Sequence, residues 1–193
     1  MVNSQQRFEY LMSYIKRTLK HSREVGDLII YIIKNRDKLS FDVDPWKLLN
    51  RSVRHDVDKF SEKYLTNMIN YLYFSDNLTD QEKDKLNESY LNHKKTQRHH
   101  LMYYEINSNE QIQNEDICEM ACDWISSARK DNSRLIENAD IWKNNFENGL
   151  KKSSMLEPYR DRFYSVFDLM NEYFGKRKIQ QQKRSIKQKT DKR

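Results

Sequence analysis

The sequence is poor in glycine and proline, with three glycines and two prolines among 193 residues. These two residues supply many of the turns and helix breaks of globular proteins, where they average about 7% and about 5%. A chain with so few of them, rich in Lys, Glu, Asn and Leu, is expected to form long helices. No stretch alternates apolar and polar residues strictly enough to require a strand. We therefore predict a single all-α domain.

Cysteine is equally scarce. Cys118 and Cys122 are the only two and lie four residues apart, which excludes a disulfide framework and the ligand spacing of a structural zinc site. Both are predicted to be core residues. The sequence also lacks an apolar run of eighteen residues and an N-terminal signal segment, so we expect a cytoplasmic protein without a membrane span.

The net charge of +6 is unevenly distributed along the chain. Nine Lys and Arg and one Asp give residues 176–193 a charge of +8, which leaves −2 for residues 1–175. We therefore predict a helical domain over residues 1–175 and a disordered basic tail over residues 176–193. The tail is expected to act mainly as a solubilising segment; the alternative is a weak contact with nucleic acid or another polyanion.

Helical spacing of apolar residues, helix-start signals and breakers together locate the predicted helices. Asp44-Pro45 is a helix start with an aspartate N-cap, and Thr79 to Glu82 form a capping box that opens a further helix. The predicted helices cover about 8–33, 45–60, 61–73, 80–104, 117–125, 132–146 and 158–174. A polar connector over residues 107–114 precedes the fifth.

The first candidate site residues lie on two of these helices. His21 shares a helix face with Val25 and Leu28, at offsets of four and seven, and should point into the core. Asp56 follows His55 and is expected on the apolar face of its helix, where an unpaired carboxylate is costly. Two explanations remain open for Asp56: a metal ion, or a hydrogen bond to a neighbouring histidine or arginine, such as Arg51 or Arg54.

Further candidates follow along the chain. His93 and His100 are seven residues apart and share a face of the predicted helix, while His99 lies at its edge. The alternative for His99 and His100 is a solvated helix end. Asp116, Glu119 and Asp123 form a stripe of carboxylates on one helix; Asp123 is expected to be enclosed, and the other two to be solvated.

The order of these residues resembles that of the HD-domain metallohydrolases. His55-Asp56-Val57-Asp58-Lys59 resembles their His-Asp-x-x-Lys signature, and Cys122–Ala128 resembles the terminal motif, an aspartate followed five residues later by a small residue. Over residues 8–130 the pattern is more closely similar to a small family of phage and bacterial HD-like proteins. There, His-Asp-x-Ser-Lys-Phe, a His-His pair, Glu-Met and Asp-Trp recur, as they do here except for Asp58 in place of serine.

The resemblance implies an HD-like helical bundle with a site for one or two divalent metal ions (Mn, Fe, Ni, Co or Zn). The implied ligands are His21, His55, Asp56 and Asp123 for one ion, and His93, His100 and His99 for a second, with Asp56 bridging. Lys59 would reach the phosphate of the substrate and act with Asp56 in catalysis. The sequence lacks the His-His-Glu and Gly-Tyr-Pro motifs of the branch that cleaves cyclic dinucleotides, so that activity is not implied.

The function expected from this resemblance is metal-dependent phosphohydrolysis of a nucleotide or another small phosphate ester. Two alternatives use the same residues. One is a di-iron oxygenase of the HD type. The other is a non-catalytic binding protein in which the metal stabilises the fold and the tail contacts a polyanion.

Overall fold

The protein is described by a computed structural model over residues 4–74, 79–129, 139–151 and 153–190. The predicted all-α fold is confirmed, and no strand occurs in these ranges. The α-helices are α1 (Ser4–Lys34), α2 (Pro45–Arg54), α3 (Glu62–Phe74), α4 (Asp80–Thr96), α5 (Leu101–Ile106), α6 (Asn114–Arg129), α7 (Ala139–Leu150) and α8 (Arg160–Thr190). Short 3₁₀ helices cover Arg36–Lys38, Val57–Phe60 and Ser154–Tyr159. Within the described ranges no helix is both long and apolar enough to cross a bilayer.

Helix α6 is the centre of the bundle. The buried residues of this helix occupy all of its sides. They include Glu115 to Cys122, Ile125 and Ser126. A helix buried all round must be enclosed by other elements, and α6 packs against α1, α2 and α8. Cys118 and Cys122 are fully buried, as predicted, and burial raises the pKa of both thiols. They are therefore core residues rather than reactive thiols.

Helix α1 covers one side of α6 and buries the predicted face that runs from His21 to Leu28, whereas Phe8 and Leu19 nearer its start are exposed. The residues buried on it recur every three or four positions: Tyr14, Thr18, His21, Val25, Leu28, Ile29 and Ile32. This face packs against α2, α3, α6 and α8. The result is that His21 enters the core beside the C-terminal half of α6, where its side chain contacts Asp123 and Ser126.

Aromatic side chains join α6, α7 and α8. The rings of Trp124 and Phe163 stack with an interplanar angle of 6° and centroids 5.2 Å apart. Phe146 from α7 packs against Phe163 and Phe167. Burying such large rings is the main apolar contribution of this part of the core. The predicted helix over 132–146 is described only from Ala139 onwards, and residues 132–138 lie outside the described ranges.

The basic C-terminal segment follows the last buried residue described in α8, Phe174. Of the segment predicted to be a tail, residues 176–193, the structure describes the backbone as far as Thr190. Over these residues the backbone continues α8, which contains no proline. At the start of the segment, Lys176 Nζ donates a hydrogen bond to the Tyr31 hydroxyl, 3.2 Å away.

Helix α2 begins as predicted but ends earlier. The side chain of Asp44 accepts hydrogen bonds from the amides of Trp46 (2.9 Å) and Lys47 (3.1 Å). The predicted helix through Phe60 is wrong, because α2 stops at Arg54 and a 3₁₀ turn follows. The apolar spacing of the sequence would place Trp46 and Val53 among the core-facing residues of this helix, which is also wrong. They are 78% and 72% exposed, whereas Leu48 and Ser52 are buried.

The single helix predicted from Asp80 to Tyr104 is in fact two helices. Helix α4 starts one residue after Thr79, as expected, but ends at Thr96, and α5 starts only at Leu101. The turn between them is closed by hydrogen bonds from the Gln97 amide to the His93 carbonyl (3.0 Å) and from the His100 amide to the Gln97 carbonyl (3.1 Å). The break redirects the chain so that His99 and His100 both face the interior.

Candidate metal centre

The seven predicted ligand residues come together in one cluster from five different parts of the bundle. Six of them are almost completely buried, and His100 is half-buried. Their positions are His21 on α1, His55 and Asp56 after α2, His93 on α4, His99 and His100 before α5, and Asp123 on α6. A structure that buries five imidazoles and two carboxylates at one point must satisfy them with partners or a ligand.

Asp56 lies at the centre of this cluster in a strained conformation. Its φ of 61° and ψ of 15° lie in the left-handed region, which non-glycine residues adopt at a cost of about 1 kcal/mol or more. It is the one non-glycine residue with positive φ among those the structure describes. This backbone turn, directly after the end of α2, directs both oxygens of a 1% exposed carboxylate into the cluster. Strain retained at a buried charge is typical of functional sites.

One group of donor atoms surrounds the Oδ2 atom of Asp56. The Nε2 atoms of His21 and His55 are 3.3 Å apart, and lie 3.6 Å and 3.8 Å from Asp56 Oδ2. Asp123 Oδ1 completes the group, at 2.8 Å from His21 Nε2 and 3.7 Å from His55 Nε2. Two imidazoles and two carboxylates thus converge on one point.

A second group faces the other oxygen of Asp56. Its Oδ1 atom lies 3.3 Å from His93 Nε2 and 3.6 Å from His99 Nε2. The His100 Nε2 atom is 2.9 Å from that of His93. Asp56 Oδ1 and His99 Nε2 are fully buried without a hydrogen-bond partner in the structure. Because unsatisfied buried polar atoms are rare and costly, their pairing points to a ligand between them.

The outer nitrogens of four of these histidines are bound by oxygen atoms. Glu119 Oε1 accepts from the Nδ1 atoms of both His55 (3.0 Å) and His99 (3.1 Å). His93 Nδ1 donates to Asp58 Oδ2 at 2.8 Å. His21 Nδ1 donates to the Ser126 hydroxyl at 3.0 Å, and that hydroxyl in turn donates to Glu24 at 3.1 Å. This arrangement leaves each inner Nε2 available as a ligand atom, as in metal-binding histidines generally.

The donor set fits a transition metal. Two atoms bound to one ion at about 2.0–2.2 Å lie about 2.8–3.6 Å apart at octahedral or tetrahedral angles. The separations between neighbouring donor atoms in the two groups are 2.8–3.8 Å. Imidazole and carboxylate ligands together suit Zn, Mn, Fe, Ni or Co. Both groups could therefore hold an ion, with one oxygen of Asp56 on each side.

In the metal-free structure, the charges of the carboxylates and of the basic groups in the cluster stabilise one another. Burial alone would raise the pKa of the Asp56 carboxyl, but His99, His55 and Lys59 nearby hold it well below its usual range. Burial would lower the pKa of His55, yet Asp123, Glu119 and Asp56 raise it to about 9. Lys59 Nζ donates to Asp56 Oδ2 at 2.7 Å.

The two groups differ in their protonation. For His100, burial and the neighbouring imidazoles lower the pKa to about 3. Burial and the nearby Lys59 also lower the pKa of His93, although Asp58 opposes this. Both His93 and His100 are therefore neutral at physiological pH, and their rings can bind a metal ion without first losing a proton.

Two carboxylates predicted to be solvated are instead buried. Glu119 is 4% exposed, and His55 and His99 lower its pKa to about 2 despite its burial. It lies one helical turn before Asp123, and this offset of four on a helix that is otherwise apolar could have identified it as a site residue. Asp58, whose contact with His93 was also missed, replaces the serine of the resembling family. No feature of the sequence predicted the contact between Asp58 and His93.

Asp116 is the second of these carboxylates, and it is completely buried. It pairs with Arg51 and with Arg98, whose Nε and Nη2 atoms both lie 3.2 Å from its oxygens. Arg51, one of the arginines considered as a partner of Asp56, binds Asp116 instead, and the neighbours of Asp56 are histidines and Lys59. A buried carboxylate held by two guanidinium groups fixes α2 and the α4–α5 turn to α6.

The chain belongs to a family of unknown function, DUF5662, whose family model matches residues 11–168. This range includes every residue of the cluster. Comparisons with curated proteins and with solved structures found no match.

Proposed function

We propose that the chain is a metal-dependent phosphohydrolase of the HD type that acts on a nucleotide or another small phosphate ester. The observation that carries this proposal is the convergence of imidazoles on Asp56. The Nε2 atoms of four histidines lie within 3.8 Å of one of its two oxygens. The fifth, on His100, contacts His93. Together with the resemblance of His55-Asp56 and Lys59 to the HD signature, this supports a mononuclear or dinuclear hydrolytic centre.

The metal ions would be held by the two groups described above. The implied ligands are His21, His55, Asp56 and Asp123 in one group, and His93, His99, His100 and Asp56 in the other. One or two divalent ions bound there would supply Lewis acidity and a nucleophilic hydroxide near neutral pH. The surrounding oxygens of Glu119, Asp58 and Ser126 would keep four of the five rings, all but that of His100, in their orientation.

Lys59 is the residue we expect to contact the substrate phosphate. Its ammonium group is 2.7 Å from Asp56 Oδ2, and its side chain is 21% exposed, so it borders both the cluster and solvent. A cation at this position would neutralise the charge that develops on a phosphoryl group. When the metal ions and the substrate are absent, Asp56 compensates the positive charge of Lys59.

A di-iron oxygenase is the second candidate. The favouring observation is that Asp56 presents one oxygen to each histidine group, which suits a carboxylate-bridged pair of iron ions as well as a hydrolytic pair. The tail charge of +8 favours a third role, a metal-stabilised protein that contacts nucleic acid. Fold and ligand set do not select among these reactions, so the tests must do so.

Metal content is tested first. Elemental analysis of protein purified without added metal is expected to show one to two transition-metal ions per chain. His55→Ala and Asp56→Ala should each lose most of this metal and melt at a lower temperature, whereas Asp84→Ala, an exposed aspartate on α4, should keep it. A metal-free wild type that is no more stable than the two variants would reject the metal centre.

Turnover then separates the enzymes. Wild type loaded with Mn²⁺, Ni²⁺ or Co²⁺ is expected to release phosphate from members of a nucleotide and phosphate-ester panel, and Lys59→Gln should reduce this with little loss of metal. Bound iron with oxygen consumption would support the oxygenase instead. A full complement of metal without turnover on any substrate would contradict the enzyme proposal and support a binding protein.

A further inference from the structure

A cationic pocket lies between α2 and the turn that joins α4 to α5. It encloses about 310 Å³. Its lining residues are Lys47, Asn50, Arg51 and Arg54 from α2, Thr96, Gln97, Arg98 and His99 from the turn, and Glu119 from α6. The four residues of α2 lie at offsets of three, four and seven and so occupy one face of that helix. The pocket thus combines four cations with one carboxylate, in a body whose net charge over residues 1–175 is −2.

Two of the four cations are held rigidly in place. Asp116 binds both Arg51 and Arg98, and Glu110 also pairs with Arg98. The hydrogen bonds and ion pairs to these carboxylates raise the pKa of the Arg98 guanidinium, although burial opposes this. Guanidinium groups fixed in this way lose little conformational entropy when an anion binds.

The other two cations are available. Within the described ranges, neither Lys47 nor Arg54 makes an ion pair or a side-chain hydrogen bond that the structure records. Lys47 and Arg54 are both exposed, and they lie seven residues apart at the two ends of the pocket face of α2. The pocket thus offers two unpaired cations and two fixed ones, and the side-chain amides of Asn50 and Gln97 also line it. This combination suits an anion with several charged oxygens.

The pocket is separate from the point where the histidines converge. It is lined by Glu119 and by His99, which meet through His99 Nδ1 at 3.1 Å, on the outer side of the ring. None of the other six ligand residues lines it. An anion bound here would therefore contact the outer supports of the centre and not the inner Nε2 atoms.

We propose that this pocket is a second binding site, for the phosphate groups of a small molecule, distinct from the metal centre. Phosphate oxygens match guanidinium groups in geometry and charge. Free inorganic polyphosphates and the phosphate chain of a nucleotide offer the same chemistry. The site does not depend on hydrolysis by the metal centre and goes beyond that proposal.

Calorimetric titration of the full chain with inorganic pyrophosphate tests the proposal. We expect saturable binding by wild type that is weakened about tenfold or more in the double variant Lys47→Gln/Arg54→Gln. The matched control is Lys16→Gln/Arg23→Gln, which removes two exposed cations at the same spacing of seven on α1. This control should bind pyrophosphate as wild type does. A melting temperature equal to that of wild type in both double variants would show that the fold is intact.

The Asp56→Ala variant separates this site from the metal centre, where pyrophosphate would also bind. Binding to the pocket should persist in Asp56→Ala, so failure of the metal proposal would leave it standing. Tighter binding of a nucleoside diphosphate than of pyrophosphate would identify a nucleotide as the source of the phosphates, and equal affinity would identify phosphate alone; both support the site. Absence of binding by wild type, or equal weakening in both double variants, would overturn it.

Discussion

The Oε1 atom of Glu119 lies 3.0 Å from the Nδ1 atom of His55, on the outer side of the imidazole ring. This contact leaves the Nε2 atom facing Asp56 and Asp123. The same Glu119 oxygen also binds His99, so one buried carboxylate orients a ring in each of the two donor groups. Its effect on a bound ion would be indirect but shared by both groups.

Replacement of Glu119 by glutamine should therefore weaken metal binding without removing a ligand. The amide preserves the size of the side chain but not its charge, so we expect metal affinity to fall by about 10- to 100-fold. Competition with a chromophoric chelator measures this. Glu115→Gln is the control, because it makes the same change on the same helix at a buried residue that binds the Asp44 amide. Equal affinities for Glu119→Gln and wild type would contradict the role of Glu119.

His100 distinguishes one ion from two. It contacts only the group that contains His93 and is half-buried, so His100→Ala should perturb the fold less than changes at the buried ligands. We expect this variant to lose about one ion per chain, whereas Asp56→Ala loses metal from both groups. Elemental analysis gives both counts. A dinuclear centre is rejected if wild type and His100→Ala hold the same amount of metal.

Metal binding should be coupled to protons. In the metal-free protein the pKa of His55 is about 9, so at pH 7 this ring carries a proton that must leave before Nε2 binds an ion. Carboxylates likewise raise the pKa of His99 against the effect of its burial, whereas His100, with a pKa of about 3, is already neutral. Affinity should rise with pH until about pH 9 and then level off.

Calorimetry in two buffers of different ionisation enthalpy measures the protons released. At pH 7 we expect at least about one proton per chain when the metal binds, on the side of the cluster that contains His55. An apparent binding enthalpy that is identical in both buffers would show that His55 is already neutral.

Gly26 offers a test of the fold itself. It lies within α1, and a Cβ atom built there has no heavy atom within 4 Å. Glycine costs a helix about 1 kcal/mol relative to alanine, so Gly26→Ala should raise the free energy of unfolding by roughly that amount. Denaturant titration measures the change, and metal content should stay as in wild type. A loss of stability would mean that α1 is more tightly packed at this position than the structure shows.

Helix content, the inward direction of His21 and the N-cap at Asp44 were predictable, because each depends on residues within one turn or one face. The gathering of His21, His55, His93, His99 and His100 was expected only through resemblance, since these residues are far apart in the chain. The backbone turns that bring these histidines together were not predicted. Continuous helices were expected where the chain turns at Asp56 and at Gln97.

Glu119 and Asp116 show why spacing is not sufficient. Their offsets in the sequence place them on a helix face, but the enclosure of that face depends on which elements pack against it. Two arginines, from α2 and the α4–α5 turn, offset the free-energy cost of burying the Asp116 carboxylate. Two histidines do the same for Glu119. None of these partners is near either carboxylate in the sequence.

The residue types and their order in the sequence therefore established an all-α chain with a basic C-terminal segment and a candidate centre at His55-Asp56. Periodicity and local capping are properties of neighbouring residues, and a sequence displays them directly. The tertiary structure alone decided that α2 ends at Arg54, that Asp56 adopts a left-handed conformation, and that Glu119 joins both donor groups. These features arise from packing between distant segments, whose energy can outweigh local helix preference and backbone strain.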